Sequence, residues 1–178
     1  MQSLLREMVD RKQLVEYPES IPYKAMQASS YNRASVSPDQ PGWFADSDGV
    51  FCIRTEKNRE GETEWVLMED KGPGVITKIW AVCFYYGLDD TTGANLKIYL
   101  DGEEEPTINC NFFEFVKGES FVKPPLAMET RRAGNSYLPI PYAKSCKVTM
   151  DKKVFYNIIS YRSYPQGTSV RTFSMDEY

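Results

Sequence analysis

Apolar and polar residues alternate along several stretches of the chain, most clearly from Asn95 to Leu100. Every second position there is apolar: Leu96, Ile98 and Leu100. Because side chains on a strand point alternately to its two faces, this period of two predicts a half-buried strand with Lys97 and Tyr99 outward. Asp101-Gly102 follows directly and is a strong turn signal.

The longest apolar run extends from Val75 to Tyr86 and is preceded by Lys71-Gly72-Pro73-Gly74. Proline lacks a backbone donor and glycine permits backbone angles closed to other residues, so this tetrapeptide ends one strand and begins another. The β-branched and aromatic residues of the run favour a strand over the alternative of a buried helix. Both of its faces are largely apolar. Such a strand lies at the centre of its sheet, or its outer face meets another domain or subunit.

Other segments complete a pattern of short strands joined by long loops. The polar residues 57–63 predict a hairpin loop, and a short helix is predicted over residues 3–11 with Ser3 as its cap. Phe112–Phe115 predicts a second short helical or irregular segment. Further strands are predicted at 50–56, 64–70, 136–142, 146–150 and 154–164.

About eight strands at a spacing of roughly 8 to 12 residues are typical of a sandwich or barrel. Long connections between hairpins favour a jelly roll over an up-and-down barrel. The fold class predicted is therefore all-β, a jelly-roll β-sandwich with a short N-terminal helix and long loops. Residues 1–24 are predicted to form the N-terminal helix and an extended arm, and residues 25–178 the sandwich.

Composition and charge exclude several classes of function. The chain has 178 residues, a net charge of −4 and a sequence pI near 5.0, whereas nucleic-acid binding needs a basic face. There is no apolar run of transmembrane length and no signal-peptide pattern at the N-terminus. The sequence predicts a soluble protein with no membrane span and leaves open whether it is cytoplasmic or exported.

Histidine is absent, which excludes Ser-His, Cys-His and His-ligated metal chemistry supplied by this chain alone. The four cysteines lack zinc-ligand spacing and are predicted to be free thiols. The alternative is one disulfide, if the protein is exported. The loop Gly87–Gly93 has too few oxygen ligands for a calcium site. Phosphate-loop and dinucleotide fingerprints are also missing, so no metal and no cofactor are expected.

The candidate binding residues lie in a long loop that holds several aromatic side chains. Aromatic faces stack on the apolar face of a sugar ring while carboxylates and guanidinium groups bind its hydroxyls, so the loop predicts a carbohydrate platform. The alternative is that the aromatic residues only close the end of the core. For the two arginines the alternative is a structural ion pair. The predicted substrate-binding residues are Arg33, Trp43, Phe44, Asp46, Asp48 and Arg54.

Several motifs, in matching order and spacing along nearly the whole chain, resemble domain-of-unknown-function family 2961. Members of that family with known activity form glycoside hydrolase family 172. The motifs are Gln27-Ala28-Ser29-Ser30-Tyr31-Asn32-Arg33, Gly42-Trp43-Phe44-Ala45-Asp46-Ser47-Asp48, Glu64-Trp65-Val66-Leu67-Met68, Gly72-Pro73-Gly74-Val75-Ile76-Thr77-Lys78-Ile79-Trp80, Leu96-Lys97-Ile98-Tyr99-Leu100-Asp101-Gly102, Ser136-Tyr137-Leu138-Pro139-Ile140-Pro141-Tyr142 and Tyr156-Asn157-Ile158-Ile159-Ser160-Tyr161-Arg162.

The resemblance implies the N-terminal half of an enzyme with two tandem jelly rolls. It further implies assembly as a trimer or hexamer and retaining activity on fructofuranosides or D-arabinofuranosides. The two catalytic glutamates of the family belong to its later half, so no catalytic residue is assigned in this chain. The alternative function is a non-catalytic module that binds a furanoside-containing glycan or has a structural role.

Overall fold

Strands account for most of the regular structure. This computed structural model describes residues 1–10, 12, 22–34, 36–43, 45, 49, 51–83, 93–153 and 155–178. The helical elements are α1 (Gln2–Glu7), α2 (Phe112–Lys117) and a final 3-10 turn (Met175–Glu177). The strands are β1 (Lys24–Ser29), β2 (Arg54–Lys57), β3 (Thr63–Lys71), β4 (Gly74–Val82), β5 (Asn95–Leu100), β6 (Ile108–Asn111), β7 (Ala127–Thr130), β8 (Ala133–Ser136), β9 (Ile140–Tyr142), β10 (Ser145–Met150) and β11 (Asn157–Ser163).

The strands form two antiparallel sheets around one core. The six-stranded sheet has the order β1-β11-β4-β8-β7, with β9 also paired to β4, and the five-stranded sheet has the order β2-β3-β10-β5-β6. The chain changes sheet between β3 and β4 and again between β10 and β11, and β3 pairs with β10 as β4 pairs with β11. These two passages lie at opposite ends of the sandwich, because Lys71 at the end of β3 is opposite Ser145 and Met150 at the end of β10 is opposite Trp65. The prediction of an all-β jelly-roll β-sandwich with a short N-terminal helix and long loops is confirmed.

The strand break predicted at Gly72-Pro73-Gly74 is confirmed, and the chain passes there from β3 in the five-stranded sheet to β4 in the six-stranded sheet. Gly72 has a φ of +115°, which favours glycine. A Cβ atom at Gly74 would lie 2.5 Å from the Tyr142 ring and 2.7 Å from the Arg162 carbonyl oxygen, so no larger residue fits. The Tyr142 hydroxyl donates to Asp70 over 2.7 Å, which fixes the ring against this corner.

Strand β4 lies inside its sheet, since it pairs with β11 on one side and with β8 and β9 on the other. The central position predicted from its two apolar faces is confirmed. Its pairing with β11 shifts by one residue at Thr77, whose hydroxyl donates to the Ser160 carbonyl oxygen over 3.1 Å. This bulge places Ile76 and Ile79, three residues apart, in the same core. Residues 84–86 of the predicted run lie outside the described part of the chain.

The alternation predicted for β5 is also confirmed, since its three apolar side chains are buried and Lys97 and Tyr99 face outward. Helix α2 covers one edge of the core with Phe112, Phe115 and Val116. The helix begins where the Asn111 side chain accepts a hydrogen bond from the Glu114 N–H and ends at Gly118, which has a left-handed backbone.

Some predicted boundaries are wrong. Helix α1 begins one residue before Ser3, because the Leu5 N–H already donates to the Met1 carbonyl oxygen, so Ser3 lies inside the helix and does not cap it. Val9 is exposed and does not belong to a buried helix face. Strand β2 begins at Arg54 and β11 at Asn157, later than predicted. The division between residues 1–24 and 25–178 stays a prediction.

The four cysteines are free, as predicted, although only Cys146 is fully buried and the other three are half-buried. Burial raises the pKa of the Cys83 thiol to about 11 and that of the Cys110 thiol to about 12. Both side chains are therefore neutral thiols at pH 7 and poor nucleophiles.

The Asp101 carboxylate joins three separate parts of the sandwich. It accepts hydrogen bonds from the backbone N–H groups of Ala143 (2.9 Å), Lys144 (2.6 Å) and Ser145 (3.2 Å), and from the Thr172 hydroxyl. Burial alone would raise the pKa of Asp101, but the Thr172 hydroxyl and the three N–H groups outweigh it and lower this pKa. The ionised side chain thus links the turn after β5 to the start of β10 and to the C-terminal segment.

The substitution Asp101→Asn tests this link. Asparagine suits the left-handed backbone of the residue (φ +57°) but loses the charge, so we expect the free energy of unfolding at pH 7 to fall by about 1.5 kcal/mol. A lowered folded-state pKa stabilises the fold above the unfolded pKa of about 3.9, and this contribution is lost as the pH falls from that value through the folded-state pKa. Urea unfolding should therefore show a larger difference between wild type and variant near pH 7 than near pH 3. An equal difference at both pH values would contradict the assignment.

Candidate functional site

The loop that follows β1 is fixed to the start of β11 through Ser30, which is buried. The Ser30 N–H donates to the Asn157 carbonyl oxygen (3.2 Å), and the Asn157 N–H donates to the Ser30 hydroxyl (3.2 Å). The Gly49 N–H donates to the Ser30 carbonyl oxygen (3.0 Å). The two ends of the predicted platform loop are therefore held at one end of the six-stranded sheet.

Tyr31 and Arg33 form the first part of the candidate site. The Arg33 guanidinium lies 4.7 Å from the centre of the Tyr31 ring, and the ring is 49% exposed. Arg33 also donates to the carbonyl oxygens of Ser29 (3.1 Å) and Tyr31 (3.4 Å). These contacts orient the cation over the ring face, so the two side chains present one amphipathic surface to solvent.

Trp43 lies on a turn that returns to the same loop. Its N–H donates to the Gln40 carbonyl oxygen (3.3 Å), and the preceding Gly42 has a φ of +84°. The Cβ position of Gly42 is 3.8 Å from the Ala34 carbonyl oxygen, which places the turn beside the residue after Arg33. The Trp43 side chain is 38% exposed, so it is not a fully buried plug of the core.

The prediction from sequence missed a third part of this site, formed by Phe155 and Tyr156. Their ring centres are 4.3 Å apart, and a Cβ atom at Gly49 would be 2.6 Å from the Phe155 ring and 3.3 Å from that of Tyr156. The close approach explains why a glycine with a φ of +122° occupies this position. The antiparallel pairing of β1 with β11 brings these residues, more than 100 positions later in the chain, to the candidate loop.

We call Tyr31, Arg33, Trp43, Phe155 and Tyr156 the aromatic end of the sandwich. Three of the predicted binding residues, Phe44, Asp46 and Asp48, lie outside the described residues. Among the predicted residues that are described, the structure places Arg33 and Trp43 on one loop and Arg54 in the other sheet.

Arg54 forms ion pairs on the outer face of the five-stranded sheet. Its guanidinium contacts the carboxylates of Glu69 (2.8 Å) and Glu56 (2.9 Å). The hydrogen bond to Glu69 is the main cause that raises the pKa of Arg54, and it also lowers the pKa of Glu69. The structural ion pair considered as an alternative is therefore present, while a role of Arg54 in sugar binding stays a prediction.

A second polar surface covers the same outer face and is centred on Glu64, which is only 1% exposed. Its carboxylate accepts hydrogen bonds from Lys97 (2.7 Å), Thr149 (2.6 Å) and Tyr99 (3.2 Å). Burial alone would raise the pKa of Glu64, but these three donors, Lys97 foremost, lower it. Glu64 is therefore an ionised anchor and a poor proton donor.

Above this anchor the outer face forms an open groove of about 610 Å³. The loop between β2 and β3 and the loop between β5 and β6 form its walls, and Arg59 bridges them through Glu104 (3.4 Å) and Glu105 (3.6 Å). The acidic residues of the second loop are exposed, as expected for a solvated tip. Within the described residues, no group of three or more His, Cys, Asp or Glu side chains has an arrangement that would hold a metal ion.

The described helices are too short and too polar to cross a membrane.

No curated protein matches the chain. A family model described as the GH172 first beta-sandwich domain matches residues 21–178, which is nearly the whole chain and includes every strand. The N-terminal segment with α1 precedes the matched region. The chain therefore belongs to the GH172 family, as its first β-sandwich domain.

Proposed function

We propose that this domain forms part of the substrate-binding surface of a glycoside hydrolase that acts on furanosides, either D-arabinofuranosides or fructofuranosides. The observation that supports the proposal is the aromatic end, where the Tyr31 ring with its Arg33 cation and the Trp43 side chain share one exposed loop. Aromatic faces bind the apolar face of a sugar, and a guanidinium donates to hydroxyl oxygens. Family membership supports the same reaction class.

The reaction we propose for the whole enzyme is retaining hydrolysis, in which two carboxyl groups about 5 Å apart act as nucleophile and as acid/base. Both groups are proposed to lie outside this chain. Glu64, the most deeply buried described carboxylate, supports this view because Lys97, Tyr99 and Thr149 already bind its two oxygens. An acid catalyst needs a raised pKa, whereas the pKa of Glu64 is lowered.

A trimer or hexamer is part of the same proposal. Strand β4 has half-buried apolar side chains on the outer face of its sheet, among them Trp80 and Val82. These residues provide apolar surface for a second domain or subunit. The mass of the protein in solution, measured by light scattering, tests this part of the proposal independently of sugar binding.

The second candidate function, a non-catalytic carbohydrate-binding or structural module, is favoured by the engagement of the described strand carboxylates in ion pairs. Glu56 pairs with Lys147 (2.6 Å), Glu64 with Lys97 (2.7 Å) and Glu69 with Arg54 (2.8 Å). A carbohydrate-binding module would share sugar binding at the aromatic end with the first candidate and differ from it in that the whole protein would not cleave the sugar, whereas a structural module would not bind sugar there.

Replacing Trp43 with Ala tests the sugar-binding surface. We expect the affinity for a D-arabinofuranoside or fructofuranoside oligosaccharide to fall roughly fivefold, because one stacked ring contributes about 1 kcal/mol. Isothermal titration calorimetry measures the change. Tyr178→Ala is a matched control, since Tyr178 is an exposed aromatic residue that contacts Phe121 at another part of the surface. An unchanged affinity in a folded Trp43→Ala variant would exclude Trp43 from the binding surface.

Hydrolysis of aryl D-arabinofuranosides and aryl fructofuranosides tests the placement of the catalytic groups. We expect the 178-residue chain to bind these sugars without cleaving them, because the nucleophile and the acid/base are proposed to be elsewhere. Release of the aryl group by this chain, above the level of a heat-denatured sample, would show that a catalytic carboxyl pair lies within it.

A further inference from the structure

Strand β1 is an edge strand of the six-stranded sheet, and its one strand partner in the described part of the chain is β11. Residues 24–27 are exposed. The strand contains no proline, and its pairing with β11 continues through all six residues without a bulge. Apart from Lys24, it lacks the devices by which sheet edges usually prevent further pairing.

The hydrogen bonds identify which backbone groups of β1 face the open edge. The Ser30 N–H donates toward β11, to the Asn157 carbonyl oxygen. In an antiparallel pair, consecutive residues direct their N–H and C=O groups alternately to the two sides. The groups of Ala25, Gln27 and Ser29 therefore point away from β11. The contact of the Ser29 carbonyl oxygen is consistent with this assignment, since this oxygen accepts a hydrogen bond from the Arg33 guanidinium and not from a strand N–H.

The other edges are less suited to further pairing. Strand β2 carries Arg54, Glu56 and Lys57 within four residues, and the four-residue strand β7 contains Glu129. Strand β6 has only four residues and continues directly into α2. In contrast, β1 has six residues and one charge, at Lys24.

We propose that β1 pairs antiparallel with β1 of a second copy of this chain about a two-fold axis, with Gln27 opposite Gln27. The two six-stranded sheets then form one continuous sheet. Of the oligomers proposed above, the pair gives a specific contact to the hexamer, since a two-fold axis can join two trimers but does not occur within one. It does not depend on sugar binding or catalysis.

Three constraints lead to this register. Residues opposite each other must lie on the same face of the sheet, so their numbers must share parity. All three edge-facing residues, Ala25, Gln27 and Ser29, find edge-facing partners within the strand only with Gln27 on the axis, which places Ala25 opposite Ser29. With Gln27 on the axis, Lys24 lies opposite Ser30, so no like charges oppose each other across the pair.

The same register places Tyr23 opposite Tyr31 of the second copy. Both rings are exposed, and each already contacts a guanidinium, that of Arg162 (4.4 Å) for Tyr23 and that of Arg33 (4.7 Å) for Tyr31. Tyr23 also borders a largely apolar cavity of about 380 Å³ and contacts Tyr164 edge-on at 6.3 Å. Aromatic pairs directly across two strands stabilise a sheet, so each copy would place an aromatic ring next to the aromatic end of the other.

Disulfide trapping tests the register. In the proposed pair the two Gln27 Cα atoms are about 5.5 Å apart, a separation that a disulfide bridges. Mild oxidation of Gln27→Cys should therefore yield a covalent dimer. Ala25→Cys is the matched control, because its two copies would be about 14 Å apart along the strands and both variants retain the four native cysteines. Equal amounts of dimer from the two variants, or none from Gln27→Cys, would overturn the register.

The mass in solution tests the pairing itself. Gln27→Lys places two like charges opposite each other and should halve the mass measured by light scattering, with unchanged circular dichroism. Met128→Lys is the control, since it adds the same charge at an exposed position of the opposite edge strand and should keep the wild-type mass. A wild-type mass equal to one or three chains, or equal masses for the two variants, would exclude the β1 pair. Sugar affinity measured on the same samples separates this outcome from failure of the proposed function.

Discussion

The pairing of β3 with β10 in one sheet and of β4 with β11 in the other is the constraint on which the other features depend. Because both pairs are antiparallel, the chain passes between the sheets at one end of the sandwich after β3 and at the opposite end after β10. The first passage needs a residue without a side chain at Gly74, since the Tyr142 ring and a backbone carbonyl of β11 occupy the space. The Asp101 carboxylate supports the same end of the sandwich by binding three backbone N–H groups before and at the start of β10. The opposite ends of β1 and β11 are then free to hold long loops.

Much of the fold was predictable from local patterns. The period of two in β5 and the Gly-Pro-Gly corner depend on neighbouring residues only, so the sequence displays them directly. The helix cap at Ser3 was wrong because a single polar residue near a terminus is a weak signal, and the backbone could begin the turn at Met1. The two bulges, at Leu67 and Thr77, depend on how strands from distant parts of the chain meet, and no local pattern marks them.

The candidate site was likewise predictable from the sequence only in part. Trp43 stood out because aromatic residues are unusual in a long polar loop, and Arg33 because its guanidinium can bind sugar hydroxyls. Phe155 and Tyr156 did not, since they precede an ordinary Tyr-rich strand and reach the loop only through the pairing of β1 with β11. Arg33 and Arg54 were both predicted to bind sugar, with a structural ion pair as the alternative for each. The structure separates them, since Arg54 neutralises strand carboxylates in one sheet and Arg33 covers an exposed ring at the end of the other.

The buried carboxylate of Glu64 has a consequence for how the five-stranded sheet reaches its correct alignment. Its donors come from two other strands, Thr149 from β10 and Lys97 and Tyr99 from β5. A slip of either strand by one residue would turn these donors toward the core and leave a negative charge without compensation in a dry environment. A misaligned sheet would thus be destabilised on both faces: the polar donors would be buried in the core, and the Glu64 carboxylate would lack its hydrogen-bond partners on the other face. The charged outer face therefore selects the same strand alignment as the apolar face that packs in the core.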